Sequence, residues 1–334
     1  MIGRAARWAA PGVAVLLVLA YAAARRPPAG AVSDTRLLMD TVVSVSLWGV
    51  DEAAAPPLFA AAFAELEAVD REMSRQPDSP LTALNGAGGG AVSAATGQVL
   101  AAALGWARRT QGAFDPTTAA LMDLWDIPAG PHPPPPLEQL ADARQRVGWQ
   151  KLEVSPDHRR VALGGTHVDL GGIAKGYAID RAGDALRRGG ARDFLVNAGG
   201  DLMVAGSKGG VPWRVGIQHP RRPEELLQVV APAGGALVTS GDYERSYTWE
   251  GILYHHILDP RSGEPARGCQ SVTVWAANAM DADALATAVF VLGPEEGLAL
   301  VEREPAAEAL VVTAAGQVRE SSGFRRVVPE ATRR

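Results

Sequence analysis

Hydrophobic and polar positions change period along the chain, and each change marks an element. From Arg36 to Gly49, Val43, Val45 and Leu47 alternate with smaller or polar neighbours, which predicts a strand. From Asp51 to Met73 the spacing turns helical, with Phe59, Phe63, Leu66 and Val69 on one face. The polar stretch Arg75 to Pro80 and the glycine run at 88–90 read as loops. Thr96 is placed to cap a second helix over 97–110. Phe114-Asp115-Pro116-Thr117-Thr118 reads as the start of a further short helix, because proline is favoured at a first helical position. A proline-rich run over 127–136 follows as an excursion or linker. The second half begins with a strand leading into a glycine-opened helix, 173–188. Many short strands then run between Phe194 and Trp275, followed by a helix over 279–292 and a strand pair over 309–318. No repeat of solenoid or propeller length is present. The expected fold class is α+β: mixed, largely antiparallel sheets with flanking helices.

The composition of the 334 residues, 47% hydrophobic and 21% charged, is that of a folded globular chain. A formal net charge of -5 gives no general attraction to nucleic acid, so a bound polyanion needs a local site or a metal. Arg4 and Arg7 precede an uncharged stretch from Trp8 to Ala24, and Arg25-Arg26-Pro27-Pro28 follows. That order is a positive region, an apolar region and small residues suited to cleavage, so residues 1–30 read as a signal peptide or membrane anchor. A single domain over 31–334 is expected behind it. The expected location is exported: periplasmic, or anchored to the outer face of the inner membrane. Cys269 is the one cysteine, so no intramolecular disulfide can form, and its setting reads as a loop entering a sheet.

Three segments carry candidate chemistry. In Val168-Asp169-Leu170-Gly171-Gly172-Ile173-Ala174-Lys175, a strand ends in an acid, paired glycines turn, and a helix opens with a lysine. Such a corner exposes backbone amides to a phosphate, although many are purely structural. It contains neither a Walker Gly-Lys-Ser/Thr nor a G-x-G-x-x-G fingerprint. In Asp281-Ala282-Asp283-Ala284-Leu285-Ala286-Thr287, helical spacing sets Asp283 and Thr287 on one side and Asp281 elsewhere. Two hard oxygens at that spacing suit magnesium, while a solvated aspartate in a first helical turn is the plain alternative. The third segment runs from Ser240-Gly241-Asp242-Tyr243-Glu244-Arg245 to His255-His256-Ile257-Leu258-Asp259-Pro260. Adjacent histidines on a strand face opposite ways, so one can reach a site while the other packs.

Together these segments resemble the ApbE family, the FAD:protein FMN transferases. Met39-Asp40-Thr41, Asp78-Ser79-Pro80-Leu81, Ala113 to Thr117 and Asn197-Ala198-Gly199-Gly200-Asp201 extend the match over almost everything behind the export segment, in order. The resemblance implies magnesium-dependent transfer of FMN from FAD to a threonine or serine hydroxyl of an acceptor protein, with release of AMP. It implies a magnesium site of Asp283, Thr287 and a backbone carbonyl at Gly172. It implies FAD contacts at Met39, Ala113, Phe114, Asp115, Asp169, Lys175 and Ile257. Family position, together with the pKa range of a histidine, makes His256 the candidate for assisting the incoming hydroxyl or the transferred phosphate.

One departure stands out. Relatives usually carry an aromatic residue and a basic one between the Met-Ser and Pro-Asp-Ser of the first loop, and here Met73-Ser74-Arg75-Gln76-Pro77 lacks the aromatic. Arg75 offers a guanidinium plane in its place. The acceptor signature Ser/Thr-Gly-Ala-Thr is absent, the nearest string being Ser93-Ala94-Ala95-Thr96, so the chain reads as the donor enzyme. The family points to acceptors among extracytoplasmic domains of membrane redox proteins. Two alternatives stay open on sequence: a magnesium-dependent FAD pyrophosphatase, and an exported FAD-binding protein without turnover.

Overall fold

The computed structural model describes residues 30–331; the expected export segment therefore lies outside the described residues. The strands are β1 (Ala31–Leu38), β2 (Thr41–Trp48), β3 (Gly89–Ala91), β4 (Glu153–Val154), β5 (Arg160–Ala162), β6 (Asp193–Ala198), β7 (Asp201–Ala205) and β8 (Val215–Gln218). They continue as β9 (Leu226–Val230), β10 (Gly235–Gly241), β11 (Ser246–Trp249), β12 (Ile252–His255), β13 (Cys269–Ala276), β14 (Ala307–Thr313) and β15 (Val318–Glu320). The helices are α1 (Ala55–Met73), α2 (Pro80–Ala87), α3 (Ala94–Arg109), α4 (Ala119–Trp125), α5 (Leu137–Gln145), α6 (Ala174–Arg188), α7 (Ala279–Leu292), α8 (Pro294–Val301) and α9 (Phe324–Val327).

One eight-stranded sheet, ordered β1-β2-β6-β7-β10-β13-β14-β15, organises the molecule, and its neighbours pair antiparallel. Alternation places Val43, Val45 and Leu47 of β2 in the core, under the stripe of α1 that carries Phe63 and Leu66. Helices α6 and α7 continue that layer. The opposite face buries Leu202, Val204, Leu237, Leu310 and Val312 beneath Trp213 and Phe324. Phe63 is fully buried, so Phe63→Ala is expected to cost about 3–5 kcal/mol. No helix among the described residues is long and apolar enough to cross a membrane.

The α+β, largely antiparallel expectation holds, with local differences. The strand read as Arg36 to Gly49 is two strands, broken at Met39 and Asp40, whose φ values of 54° and 57° make a left-handed two-residue turn. Asp40 tolerates that conformation, but Met39 is not a typical choice there, which hides the turn. Helix α3 starts earlier than expected because Ser93, not Thr96, caps it: the Ser93 hydroxyl accepts from the Thr96 N–H at 3.0 Å. Thr96 is buried, which removes the one acceptor-like string from reach. Pro116 does not open a helix, since α4 begins only at Ala119. The strand expected before Asp169 is a single parallel bridge, Thr118 to His167. The proline-rich excursion is anchored: Ile127 is buried among Leu121, Trp125, Tyr247 and Tyr254.

Candidate functional site

The corner where α6 meets α7 collects the oxygen donors. Asn278 caps α7, its side chain accepting from the Asp281 N–H at 2.8 Å. Asp281 turns away from the corner and accepts from the Trp106 indole N–H at 2.8 Å. The helical register then presents Asp283 and Thr287 on the other side. Gly176 of α6 donates its backbone N–H to Asp283 Oδ2 at 2.9 Å. The helices approach so closely that a Cβ on Gly176 would stand 2.2 Å from the carbonyl oxygen of Ala279. A Cβ on Gly172 would stand 3.2 Å from Thr287 Oγ1 and 3.3 Å from the Phe114 ring. Gly172, Thr287 and Phe114 therefore share one crevice at the start of α6.

Asp283 is 4% exposed, and its second carboxylate oxygen accepts no hydrogen bond from the described residues. Burial, reinforced by the negative charge of Asp201, pushes its carboxyl up to about 7 against the opposing pull of Lys175. A carboxylate in that setting is relieved by a cation. The donors at hand are carboxylate, hydroxyl and carbonyl, all hard oxygens, and they fit magnesium. Lys175 pairs with Asp201, whose other oxygen accepts from the Thr239 N–H at 2.9 Å. Burial opposes the Lys175 charge, but Asp201 and Asp283 more than offset it, so its pKa is raised and it stays an ammonium. Asp201 closes the Asn197–Asp201 motif with no role that its local sequence assigns. The available signal was general: a lysine held inside a protein needs a carboxylate.

The residues expected to meet FAD fall into two kinds. Asp169 is tied to the Ala113–Thr117 segment, its N–H donating to the Pro116 carbonyl at 2.8 Å. Its Oδ1 accepts from the Gly171 N–H at 2.7 Å, and its Oδ2 faces Arg75 at 3.3 Å. Arg75 also pairs with Asp123, so its guanidinium is held between two carboxylates. Asp115 is differently occupied: its carboxylate accepts from Thr117 and from the Trp149 N–H, which fixes its own loop. Ala113 and Phe114 are buried as well, so neither presents its side chain as open surface. Ile257 is buried, and its carbonyl accepts from the Ala266 N–H at 3.0 Å. Met39 packs half-buried against the core at the β1–β2 turn, with its N–H reaching Asp70 at 3.3 Å.

The two histidines divide as strand geometry requires. His255 is buried, donates Nε2–H to the Ala266 carbonyl at 2.8 Å, and lies edge-on to Phe290. Burial lowers its pKa to about 4, so it is a neutral packing residue. His256 is half-buried and donates Nδ1–H to the Arg245 carbonyl at 3.3 Å, which leaves Nε2 as an acceptor. Crowding by protein atoms, then the charge of Arg245, lowers its pKa to about 3. That places it below the ordinary histidine range, as a neutral imidazole. Arg245 meets Asp40 at 3.9 Å, which brings the β1–β2 turn to the same rim. Cys269 opens β13 rather than a loop, and burial pushes its thiol up to about 12, far from nucleophilic use.

Fold and site together define an α+β enzyme built around an oxygen-lined corner between two helices. The model of the ApbE family matches residues 39–311, and the chain belongs to that family. It is 34% identical over 272 residues to a FAD:protein FMN transferase of Treponema pallidum, covering 75% of each chain. It is also 34% identical to that of Klebsiella pneumoniae, over 86% of this chain and 84% of the relative. The ApbE protein of Thermotoga maritima superposes with a TM-score of 0.82 at 32% identity, over 89% of this chain and 99% of that one. The flavin transferase ApbE of Vibrio cholerae gives 0.79 at 31%, over 90% and 100%. The protein is accordingly a transferase.

Proposed function

We propose that this protein transfers FMN from FAD to a threonine or serine hydroxyl of an acceptor protein and releases AMP. The observation that carries this reading is the approach of Thr287 to Gly172 at the start of α6, one turn along α7 from the buried carboxylate of Asp283. Asp283, Thr287 and the Gly172 carbonyl would hold magnesium, which supplies charge neutralisation on the pyrophosphate. Met39 offers apolar surface to a ring and the Phe114 ring backs the corner at Gly172, while Asp169 offers a carboxylate already oriented by Gly171 and Arg75. Lys175, fixed by Asp201, places a positive charge beside the transferred phosphate.

In the transfer the acceptor hydroxyl oxygen bonds to the FMN phosphorus, the bond to the AMP phosphate oxygen breaks, and the hydroxyl proton leaves. His256, as a neutral acceptor at Nε2, orients that hydroxyl and takes up the proton as the bond forms; negative phosphates nearby raise its basicity at that moment. Positioning and charge, rather than covalent chemistry by the protein, supply the catalysis. The apolar stretch at residues 8–24 between basic flanks supports action outside the cytoplasm, and the family resemblance points to acceptors among domains of membrane redox proteins.

The test is mass spectrometry of an acceptor domain carrying Ser-Gly-Ala-Thr, incubated with residues 31–334, FAD and magnesium. The expected result is a mass gain of FMN less water on that threonine, with AMP released, and no gain without magnesium. Free FMN and AMP with an unmodified acceptor would replace the transferase by a pyrophosphatase.

A further inference from the structure

Two carboxylates cross between α6 and α7 in opposite directions. Asp283 of α7 accepts from the Gly176 N–H in the first turn of α6. Asp180, one turn further along α6, accepts from the first turn of α7: Oδ1 from the Ala279 N–H at 2.7 Å and Oδ2 from the Met280 N–H at 2.9 Å. Gly176, the donor of the first tie, is packed so tightly that a side chain would strike the Ala279 carbonyl. With Asn278 occupying the Asp281 N–H, the amides of Ala279, Met280 and Asp281 are all engaged. The first turn of α7 is therefore set by α6, and Asp283 and Thr287 leave that helix in its second and third turns.

We infer that Asp180 is the positioning residue for the magnesium ligands: it fixes the depth and rotation of α7, and so where Asp283 and Thr287 stand relative to Gly172. This rests on the reading of Asp283 and Thr287 as ligands. Asp180 touches neither FAD nor metal in this account; it acts through the backbone of α7. A carboxylate suits the task because both of its oxygens accept, and two parallel N–H groups need two acceptors. An amide of the same shape supplies one acceptor and one donor, so one of the two amides would face another donor.

The test is calorimetric titration of the folded, FAD-bound protein with Mg2+, which reads the ligands directly rather than through turnover. Asp180→Asn is expected to weaken Mg2+ binding about tenfold or more, as loss of a supporting hydrogen bond around a metal typically does. The Michaelis constant for FAD at saturating Mg2+ should change less than threefold. Gly176→Ala, which separates the helices without altering charge, should weaken Mg2+ in the same direction. Glu65→Gln serves as the stability control: it removes the partner of Arg181 and Arg188 on the outer side of α6, and should leave Mg2+ binding unchanged. A folded Asp180→Asn protein that binds Mg2+ as tightly as the parent, or weakened binding in Glu65→Gln to the same extent, overturns the proposal. Asp283→Ala separates the two layers of the argument. Tight Mg2+ binding by that variant overturns the ligand reading itself, whereas its loss alongside a normal Asp180→Asn overturns only the positioning role.

Discussion

The corner between α6 and α7 and the rim around His256, which the proposed transfer would bring to one reaction, are built differently. The corner is buried and held by backbone: Gly176, Ala279 and Met280 donate main-chain amides to Asp283 and Asp180. The rim is open and held by side-chain pairs, Arg245 with Asp40 and Arg75 with Asp169 and Asp123. Exposed ion pairs contribute little and rearrange readily, whereas buried amide–carboxylate ties do not. The contrast fits the two demands of the proposed transfer. Charge on a pyrophosphate must be met at fixed distances, and a protein acceptor must be admitted and released.

The largest effect should come from the corner. Asp283→Ala is expected to lower transfer at least about 1000-fold, several kcal/mol of lost charge stabilisation. The metal-free protein should keep or gain melting temperature, because an unrelieved buried carboxylate has been removed. A variant that is inactive and also strongly destabilised would break the comparison. Next, His256→Ala should lower transfer about 100-fold while FAD and magnesium still bind, as measured by titration.

Stability against pH separates the regions further. The carboxyls of Asp180 and Asp283 are raised, to about 6 and about 7. In the metal-free protein their contribution is fully present below the ordinary aspartate range and is lost as pH rises through those values. His255 and His256 are lowered, so their contribution is present above about 6.5 and is lost as pH falls toward 4. Magnesium competes with a proton at Asp283, so its affinity should weaken about tenfold per pH unit below 7. The melting-temperature gain from magnesium should therefore be larger at pH 8 than at pH 6. A gain independent of pH would place the metal away from Asp283.

The smallest effect should be at the rim. Arg75→Ala is expected to raise the Michaelis constant for FAD roughly three- to tenfold, up to about 1.4 kcal/mol, because Asp169 loses a partner. Stability should change by less than about 1 kcal/mol. A large loss of stability would show the rim to be as rigid as the corner.

What was legible in the chain follows the same division. Helix α7 over 279–292 is readable because a cap, a charged first turn and a long apolar run agree, and its Asp283–Thr287 spacing is a local property. Features set by distant partners are not. The turn at Met39-Asp40 has no glycine or asparagine, although its neighbour in space, the turn at Gly199-Gly200, is easily read. Asp169 looks like the end of a strand, yet its backbone is placed by Pro116 from another segment. Lys175 is visible in the motif, but its pairing with Asp201 depends on where β7 falls beside α6. Asp180 sits inside the same motif, and nothing local tells that it grips α7. The lowered pKa of His256 likewise comes from the surrounding fold rather than from its strand.

The most direct measurement is the anomalous difference density of Mn2+, used in place of Mg2+, in crystals of the protein with FAD. The account predicts one peak at about 2.1–2.2 Å from the Asp283 carboxylate, Thr287 Oγ1 and the Gly172 carbonyl oxygen together. A peak elsewhere, or one that persists in Asp283→Ala crystals, would contradict it.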